Sequence, residues 1–397
     1  MFRPLDYFCV LGVIALSLSG LSEGTKHLHG LGLGVFAAFL ASVITAAMLW
    51  LRWRNLREPP FHGWWLLLPW LLFAVAFAVL FPLAHRHVMG GAGSDRDDAL
   101  RVSAEALLYG KYIYSARTFL GNPVTPLPGA VLLAVPFYLL HTVGLENLFW
   151  LGVLLAFAAS FFRSKATALI YVLLLLGTST CTLDDFVVGG DFFINEVYVC
   201  VAMGVVIAAQ ERRSALWVQV AAEVFLGLAM DSRPVYIIAL PLVVAYLWQK
   251  GLRTGAIRTA AVSGGTALAF SIPFYLYNPA EFAPLHVTHK LDMIPESYHA
   301  AIVLPVLGLL IACSGFFLSL TRPKIYLLMA LSMVVMLGFP GIVSWFLAPF
   351  TLDGWYGLGL VSTAATPFLL WLFSLYESGT QLKTQASRQT EAISAWR

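Results

Sequence analysis

The 397-residue chain carries 11% Asp, Glu, Lys and Arg against 59% hydrophobic residues, and its mean hydropathy is +0.81. Soluble domains hold about 25% charged residues, so soluble enzyme classes are excluded and a polytopic membrane protein is expected. The 24 basic and 21 acidic residues leave a net charge of +3 without a clustered basic surface, which argues against a nucleic-acid partner.

The chain opens with Met1-Phe-Arg-Pro and an apolar run from Leu5, with no small-residue cleavage signature, so it reads as a retained first span. Apolar segments lie near 5–21, 30–51, 64–84, 127–142, 147–162, 166–181, 193–209, 215–230, 234–249, 259–278, 299–320, 325–348 and 357–376. At roughly 20 residues per crossing they consume most of the chain, and the expected fold class is an all-α transmembrane helical bundle of about 11–13 membrane segments. Residues 1–377 form one transmembrane domain on this reading, and 378–397 a polar cytoplasmic tail. Cys9, Cys181, Cys200 and Cys313 lie in or at the ends of apolar segments without metal-ligand or redox spacing and read as packing residues.

Short basic loops set the orientation. Arg52, Arg54 and Arg57, Arg163 and Lys165, Arg212 and Arg213, Lys250, Arg253 and Arg258, Arg322 and Lys324, and Lys383, Arg388 and Arg397 all fall inside by the positive-inside rule. The termini are then cytoplasmic and the expected location is the inner membrane of a prokaryote. Parity fails at one place, since segments 127–142 and 147–162 together must make one net crossing. Pro126, Pro128 and Pro136 point to the first as the element that does not span. Residues 85–126, 182–192, 279–298 and 349–356 are predicted outside, and 52–63 and 210–214 inside. A cysteine introduced at position 120 should react with an impermeant thiol reagent from outside and one at 56 should not; the opposite labelling would reverse the orientation.

With that topology most acidic residues gather outside, although acids contribute little to orientation. In the first external loop, a flexible Gly90-Gly91-Ala92-Gly93 precedes Ser94-Asp95-Arg96-Asp97-Asp98. Ser94 is placed as an N-cap with Asp97 as a variant capping box, and Gly110 closes the helix. Leu100, Ala104, Leu107 and Leu108 line an apolar face opposite Asp97, Arg101 and Glu105, so an interfacial helix is expected. Acids in a first turn complement the helix dipole. A partly desolvated carboxylate there can equally take a proton from an acceptor hydroxyl. Asp95-Arg96-Asp97 formally matches a D-x-D pattern, but a tripeptide assigns no metal; a divalent cation is compatible with it, and no cofactor is expected.

The run Ser94-Asp-Arg-Asp-Asp-Ala-Leu, then Ala104-Glu-Ala-Leu-Leu-Tyr-Gly110, Tyr112-Ile-Tyr114-Ser and Gly121-Asn-Pro-Val-Thr-Pro-Leu-Pro-Gly129 resembles the first extracytoplasmic loop of GT-C glycosyltransferases. The polyprenol-phosphate mannosyltransferase-like branch is the nearest in pattern. The resemblance covers about 40 residues closely, a span of chain that holds one loop and one helix. It implies an inverting transfer of a sugar, mannose in that branch, from a polyprenyl-phosphate donor to a hydroxyl of a glycan, lipid or protein on the external face. It also implies one essential carboxylate, for which Asp95 is placed first, then Asp98 and Asp97. Tyr112-Ile-Tyr114 stands where that family often has a Pro-Tyr pair.

A departing phosphate asks for cations or backbone donors. Arg233, in Met230-Asp-Ser-Arg-Pro234, is the first choice and Lys290 the second; a salt bridge to Asp231 is the structural alternative for Arg233. Asn122, Tyr114 and His289 are further candidate substrate contacts, while His286 and His289 lack the spacing of a zinc pair. Asp184 and Asp185 read either as a solvated acidic loop or, as the resemblance implies, as polar residues near the donor or acceptor sugar, whereas Asp191 and Asn195, one turn apart at a span mouth, reach a cavity more easily. Glu223 lies inside an apolar segment with Gln219 a turn before it and reads as a Gln-paired or protonated structural carboxyl. The rival from another class is a secondary transporter or flippase of lipid-linked or polar substrates, which would place ionisable residues and broken helices at mid-membrane. A scaffold subunit would not need the acidic loops.

Overall fold

The computed structural model describes residues 4–20, 39–40, 42–43, 62–89, 94–285, 299–339, 359–375 and 377. Among these the protein is helical, without strands beyond one isolated bridge between Arg117 and Pro123. The polar tail, most of segment 30–51 and the expected external stretch 349–356 lie outside the described residues, as do His286, His289 and Lys290.

The helices are α1 (Pro4–Ser19), α2 (Leu67–Met89), α3 (Arg96–Leu108), α4 (Pro128–Leu139), α5 (Leu145–Phe161), α6 (Lys165–Thr178), α7 (Thr180–Val187), α8 (Asp191–Glu211), α9 (Leu216–Met230), α10 (Ala239–Gln249), α11 (Arg253–Tyr277), α12 (Ala300–Cys313), α13 (Arg322–Met333) and α14 (Gly359–Leu375). By length and composition, Gly63–Leu83, α8 and α11 can each cross a bilayer alone, and α6 with α7, bent by 86° at their break, adds a fourth candidate. The other apolar helices are shorter. Several helices thus suit a multi-pass membrane protein.

Helix α8 is the centre. Phe193 through Met203 are buried without interruption, the polar Asn195 and Glu196 included, as expected of a helix surrounded by others. It packs on α5, α7, α9 and α10. By contrast α2 exposes Leu68, Leu71, Leu72, Val75 and Val79, and α11 exposes Ile257, Leu268, Ile272 and Leu276. Such faces are expected where hydrocarbon rather than water is the solvent.

The connections sort to two ends of the bundle. At one end Asn147 Nδ2 donates to the Gly190 carbonyl at 3.0 Å, Gly129 N donates to the Asp231 carbonyl at 3.0 Å, and the Tyr112 hydroxyl reaches the carbonyls of Phe274 and Asn278, each at 3.0 Å. At the other end the amides of Arg163 and Ser164 donate to the Glu377 carboxylate at 2.9 and 3.0 Å, and Glu211 receives Arg322 and the Tyr246 hydroxyl. These groups match the two sides expected from the basic loops. Helix α5 runs between the ends, from Asn147 to the turn at Arg163. Helix α4 does not: the chain enters it beside Asp231 and reaches Asn147 at the same end, after 12 residues and a turn with His141 at φ 62°. At 1.5 Å per residue, α4 is only about 18 Å long.

The buried Glu223 lies toward the Glu211 end, and its partners differ from the expected Gln219. Its carboxylate receives Arg258 Nε at 3.1 Å, Gln210 Nε2 at 2.7 Å and Thr259 Oγ1 at 3.1 Å, while Gln219 bonds Arg258. Two neighbouring helices supply the cation and amide that make a buried carboxylate tolerable.

Over the first end sits a small core of its own, formed by Ala104, Ile113, Tyr114, Val124, Leu127, Val131 and Phe282. It seats α3 against α4 and fixes the loop 94–126. Helix α3 ends as expected: Gly110 takes φ 66°, Gly110 N donates to the Leu107 carbonyl and Lys111 N to that of Ala106, a Schellman arrangement. Its start differs. Asp95 rather than Ser94 occupies the cap position, and Asp97 Oδ1 accepts from Asp98 N instead of reaching back to residue 94. Asp97 and Asp98 are buried, not on a solvated face; the segment around Phe119 lies against the helix start, Phe119 N donating to Asp98 Oδ2.

Gly129 marks a close approach between α4 and α9. A Cβ there would lie 2.7 Å from the Asp231 carbonyl oxygen and closer still to that of Leu228. Backbone atoms cannot swing aside, so Gly129→Ala is expected to cost about 1–3 kcal/mol of stability. A thermal melt of the purified variant within 1 °C or so of the parent would contradict this packing.

Candidate functional site

The acidic run at the start of α3 separates into three environments. Asp95 Oδ2 accepts from Thr118 Oγ1 at 2.6 Å and from Asn122 Nδ2 at 2.8 Å, while its Oδ1 has no hydrogen-bond partner among the described residues. Asp98 has both oxygens engaged: Oδ1 by Arg101 Nε at 3.0 Å and Nη2 at 2.7 Å, and Oδ2 by Phe119 N at 2.8 Å. Asp97 holds the Asp98 amide at 2.8 Å. Hence Asp95 has one oxygen oriented and one available, whereas Asp98 pins the segment around residue 119 onto α3.

The turn at Gly121, with φ 80°, makes the Asp95 contacts possible by folding Asn122 back so that its carbonyl accepts from Thr118 N at 3.0 Å. Asn122 was expected to touch substrate; here its amide holds Asp95. Tyr114, also expected at the substrate, is fully buried with its hydroxyl on the Pro126 carbonyl at 3.2 Å. Burial, with the Asp231 carboxylate nearby, pushes its phenol well above the ordinary tyrosine range. It anchors the Pro-rich approach to α4 and does not reach an open surface.

Two arginines meet on one ring. Arg96, the second residue of the acidic run, lies 4.2 Å from the Phe192 ring centroid, and Arg233 lies 5.4 Å from it. Arg96 Nη1 donates to Asp185 Oδ1 at 2.5 Å, and Asp185 Oδ2 accepts Phe193 N at 2.8 Å. Arg233 donates Nε to Asp191 Oδ2 at 3.0 Å, adds Nη2 to the same oxygen, and places Nη1 on Thr125 Oγ1 at 2.7 Å. The expected alternative partner, Asp231, belongs elsewhere. Asp191 is reached instead because Pro234 starts a 3-10 turn with Arg233 extended at φ −150°, ψ 145°.

These contacts revise two expectations about acids. Asp184 and Asp185 sit on α7, a helix, and Asp185 is buried against Arg96, so it is no solvated loop residue. Asp191 and Asn195 do pair along α8, Asn195 Nδ2 donating to Asp191 Oδ2 at 3.1 Å, but Asp191 spends that oxygen on Arg233 as well. Arg96 was not among the expected cations. Among the described residues most of its five N–H donors find no acceptor, and its side chain is 34% exposed, against 15% for Arg233. A lone cation inside Asp-Arg-Asp-Asp was the available signal.

Asp231 closes the site on the α9 side. Its Oδ2 accepts Gly129 N at 2.9 Å and its Oδ1 the Ser271 hydroxyl. Burial raises its pKa to about 7, against the lowering pull of those two hydrogen bonds. The folded protein therefore binds this proton more tightly than the unfolded chain. The contribution is complete below the usual carboxylate range and is lost as pH rises toward 7. Asp231→Asn should flatten the fall in melting temperature between about pH 4 and 7. An unchanged slope in that variant would assign it to other groups.

The chain matches no family model, no curated protein and no solved structure.

Proposed function

We propose that this chain is a membrane-embedded glycosyltransferase that moves a sugar, mannose being the expected one, from a polyprenyl-phosphate donor to a hydroxyl of a glycan, lipid or protein at the external face. The observation that carries the reading is Asp95, held through Oδ2 by Thr118 and Asn122 with Oδ1 without a partner among the described residues, and followed in the chain by Arg96, whose guanidinium meets that of Arg233 on Phe192. A general base needs that arrangement, one oxygen oriented and the other facing the proton it takes.

In this mechanism the acceptor O–H bond breaks and its proton goes to Asp95 Oδ1. The acceptor oxygen bonds to the anomeric carbon from the face opposite the leaving group. The bond from that carbon to the phosphate oxygen breaks, and its electron pair leaves with the polyprenyl phosphate. Arg96 and Arg233 face the growing charge, and Asp185 and Asp191 hold their planes in place beforehand, so little reorganisation is left for the transition state. Arg96, with more free donors, is assigned the larger share of the phosphate, and Arg233 the orienting share. The loop 94–126 with α3 would then lie at the membrane surface, where lipid-borne donor and polar acceptor meet.

The test is direct. Purified protein in liposomes is incubated with radiolabelled polyprenyl-phosphate sugars and a membrane extract as acceptor source. Transfer of label from one donor to extract components is the expected outcome. No transfer from any donor tried, with the protein folded, would count against the assignment.

A further inference from the structure

Along α8, Asp191, Asn195 and Tyr198 fall at i, i+4 and i+7 and so share one stripe. Across from them stand Glu146, Asn147 and Trp150 of the first turns of α5. The Tyr198 hydroxyl donates to Glu146 Oε1, Asn147 Nδ2 donates to the Gly190 carbonyl at 3.0 Å, and the Trp150 and Tyr198 rings meet at 4.7 Å. This seam is dry of exposed surface: Glu146, Asn147, Asp191 and Asn195 are each 0% exposed.

After those bonds are made, four oxygens remain without a hydrogen-bond partner among the described residues: Glu146 Oε2, Asn147 Oδ1, Asp191 Oδ1 and Asn195 Oδ1. The amide orientations are fixed by the donors' own bonds to Gly190 and Asp191, so turning them would break contacts already made. Trp150 Nε1 is the unpartnered donor there and can serve one oxygen at most. Buried acceptors left bare are strongly disfavoured. With both carboxylates ionised, Glu146 and Asp191 would outnumber the single positive charge of Arg233, so the seam needs one further positive charge, a proton or a cation. A proton on Glu146 would balance the charge but donate to only one of the remaining oxygens.

We propose that the α5–α8 seam binds one monovalent cation, sodium, through the carboxylate oxygens of Glu146 and Asp191 and the amide oxygens of Asn147 and Asn195. Hard oxygen donors suit such a cation, and one positive charge makes the seam neutral. The ion would fix the carboxylate that orients Arg233, so the bundle interior and the external site share a component. This inference is independent of the glycosyltransferase reading and survives its failure.

The experiment uses the full chain purified in detergent and measures binding of ²²Na⁺ together with thermal stability in sodium chloride and in choline chloride at equal ionic strength. Saturable binding of about one ion per chain is expected, displaced by unlabelled sodium and not by choline, with a melting temperature several degrees higher in sodium, as mass action requires. Glu146→Gln keeps an acceptor for Tyr198, and Asn195→Leu keeps the shape; each should weaken sodium binding roughly tenfold or more. Equal binding in both variants, or no sodium-specific binding and stabilisation in the parent, would overturn the proposal. Displacement by calcium or magnesium at far lower concentration would overturn the monovalent assignment. Should a variant fail to fold, the comparison of sodium with choline in the parent still decides.

Discussion

Asp95→Asn is expected to lower sugar transfer by roughly 10²–10⁴-fold, the loss that follows removal of general-base assistance, while the protein stays folded. Asparagine keeps the shape, and its Oδ1 can still accept from Thr118 and Asn122. Asp98→Asn tests the other use of a carboxylate. It disturbs the paired bonds that the buried carboxylate receives from Arg101 and Phe119 N, and should cost about 1–3 kcal/mol of stability with little change in rate. Measuring transfer and melting temperature for Asn at 95, 97 and 98 separately distinguishes the roles. A steep loss of rate at 98 alone would move the base one helical turn along α3, and full activity in all three would remove the proposed function.

Replacements of the two arginines should differ most in donor use. Arg233→Ala leaves Asp191 buried without its cation and is expected to destabilise the protein by about 3–5 kcal/mol, with donor use weakened as well. Arg233→Lys should recover only part of both, since a point charge cannot copy the fork that reaches Asp191 and Thr125 together. Arg96→Ala likewise leaves the buried Asp185 without its cation, so it too should cost stability, with the larger loss in donor use. Dependence of transfer rate on donor concentration and a thermal melt, run side by side, check this. If Arg96→Ala leaves donor dependence unchanged, the phosphate role passes to Arg233 or to groups beyond the described residues.

Much of the bundle was legible because hydrophobic runs and basic loops obey bilayer physics one segment at a time. The parity conflict at 127–162 and the prolines at its start also pointed to α4, which enters and leaves at one end of the bundle. Tertiary pairings were not legible in that way. Asp95 and Asn122 were each singled out, but no local rule says that an amide 27 residues on will hold the carboxylate instead of touching substrate. Asp185 adjoins another acid before two glycines, which allows a solvated loop; its buried partner is Arg96, 89 residues earlier. Arg233 was read against its neighbour Asp231, yet the extended backbone before Pro234 carries it to Asp191, 42 residues away. Local sequence ranks partners by proximity along the chain, and a buried ion pair is chosen by proximity in space.

The carboxylate of Glu377 accepts two amides, those of Arg163 and Ser164, from a turn 213 and 214 residues upstream. During synthesis the ribosome delivers that turn early and the carboxylate late. At roughly 5–20 residues per second, the amides that open α6 wait on the order of ten seconds or more for their acceptor. Until then the start of α6 needs other acceptors for these amides, so the joint closes only after the helices between have been made. A chain stopped just short of Glu377 would hold the same helices in the same order with its last latch unset.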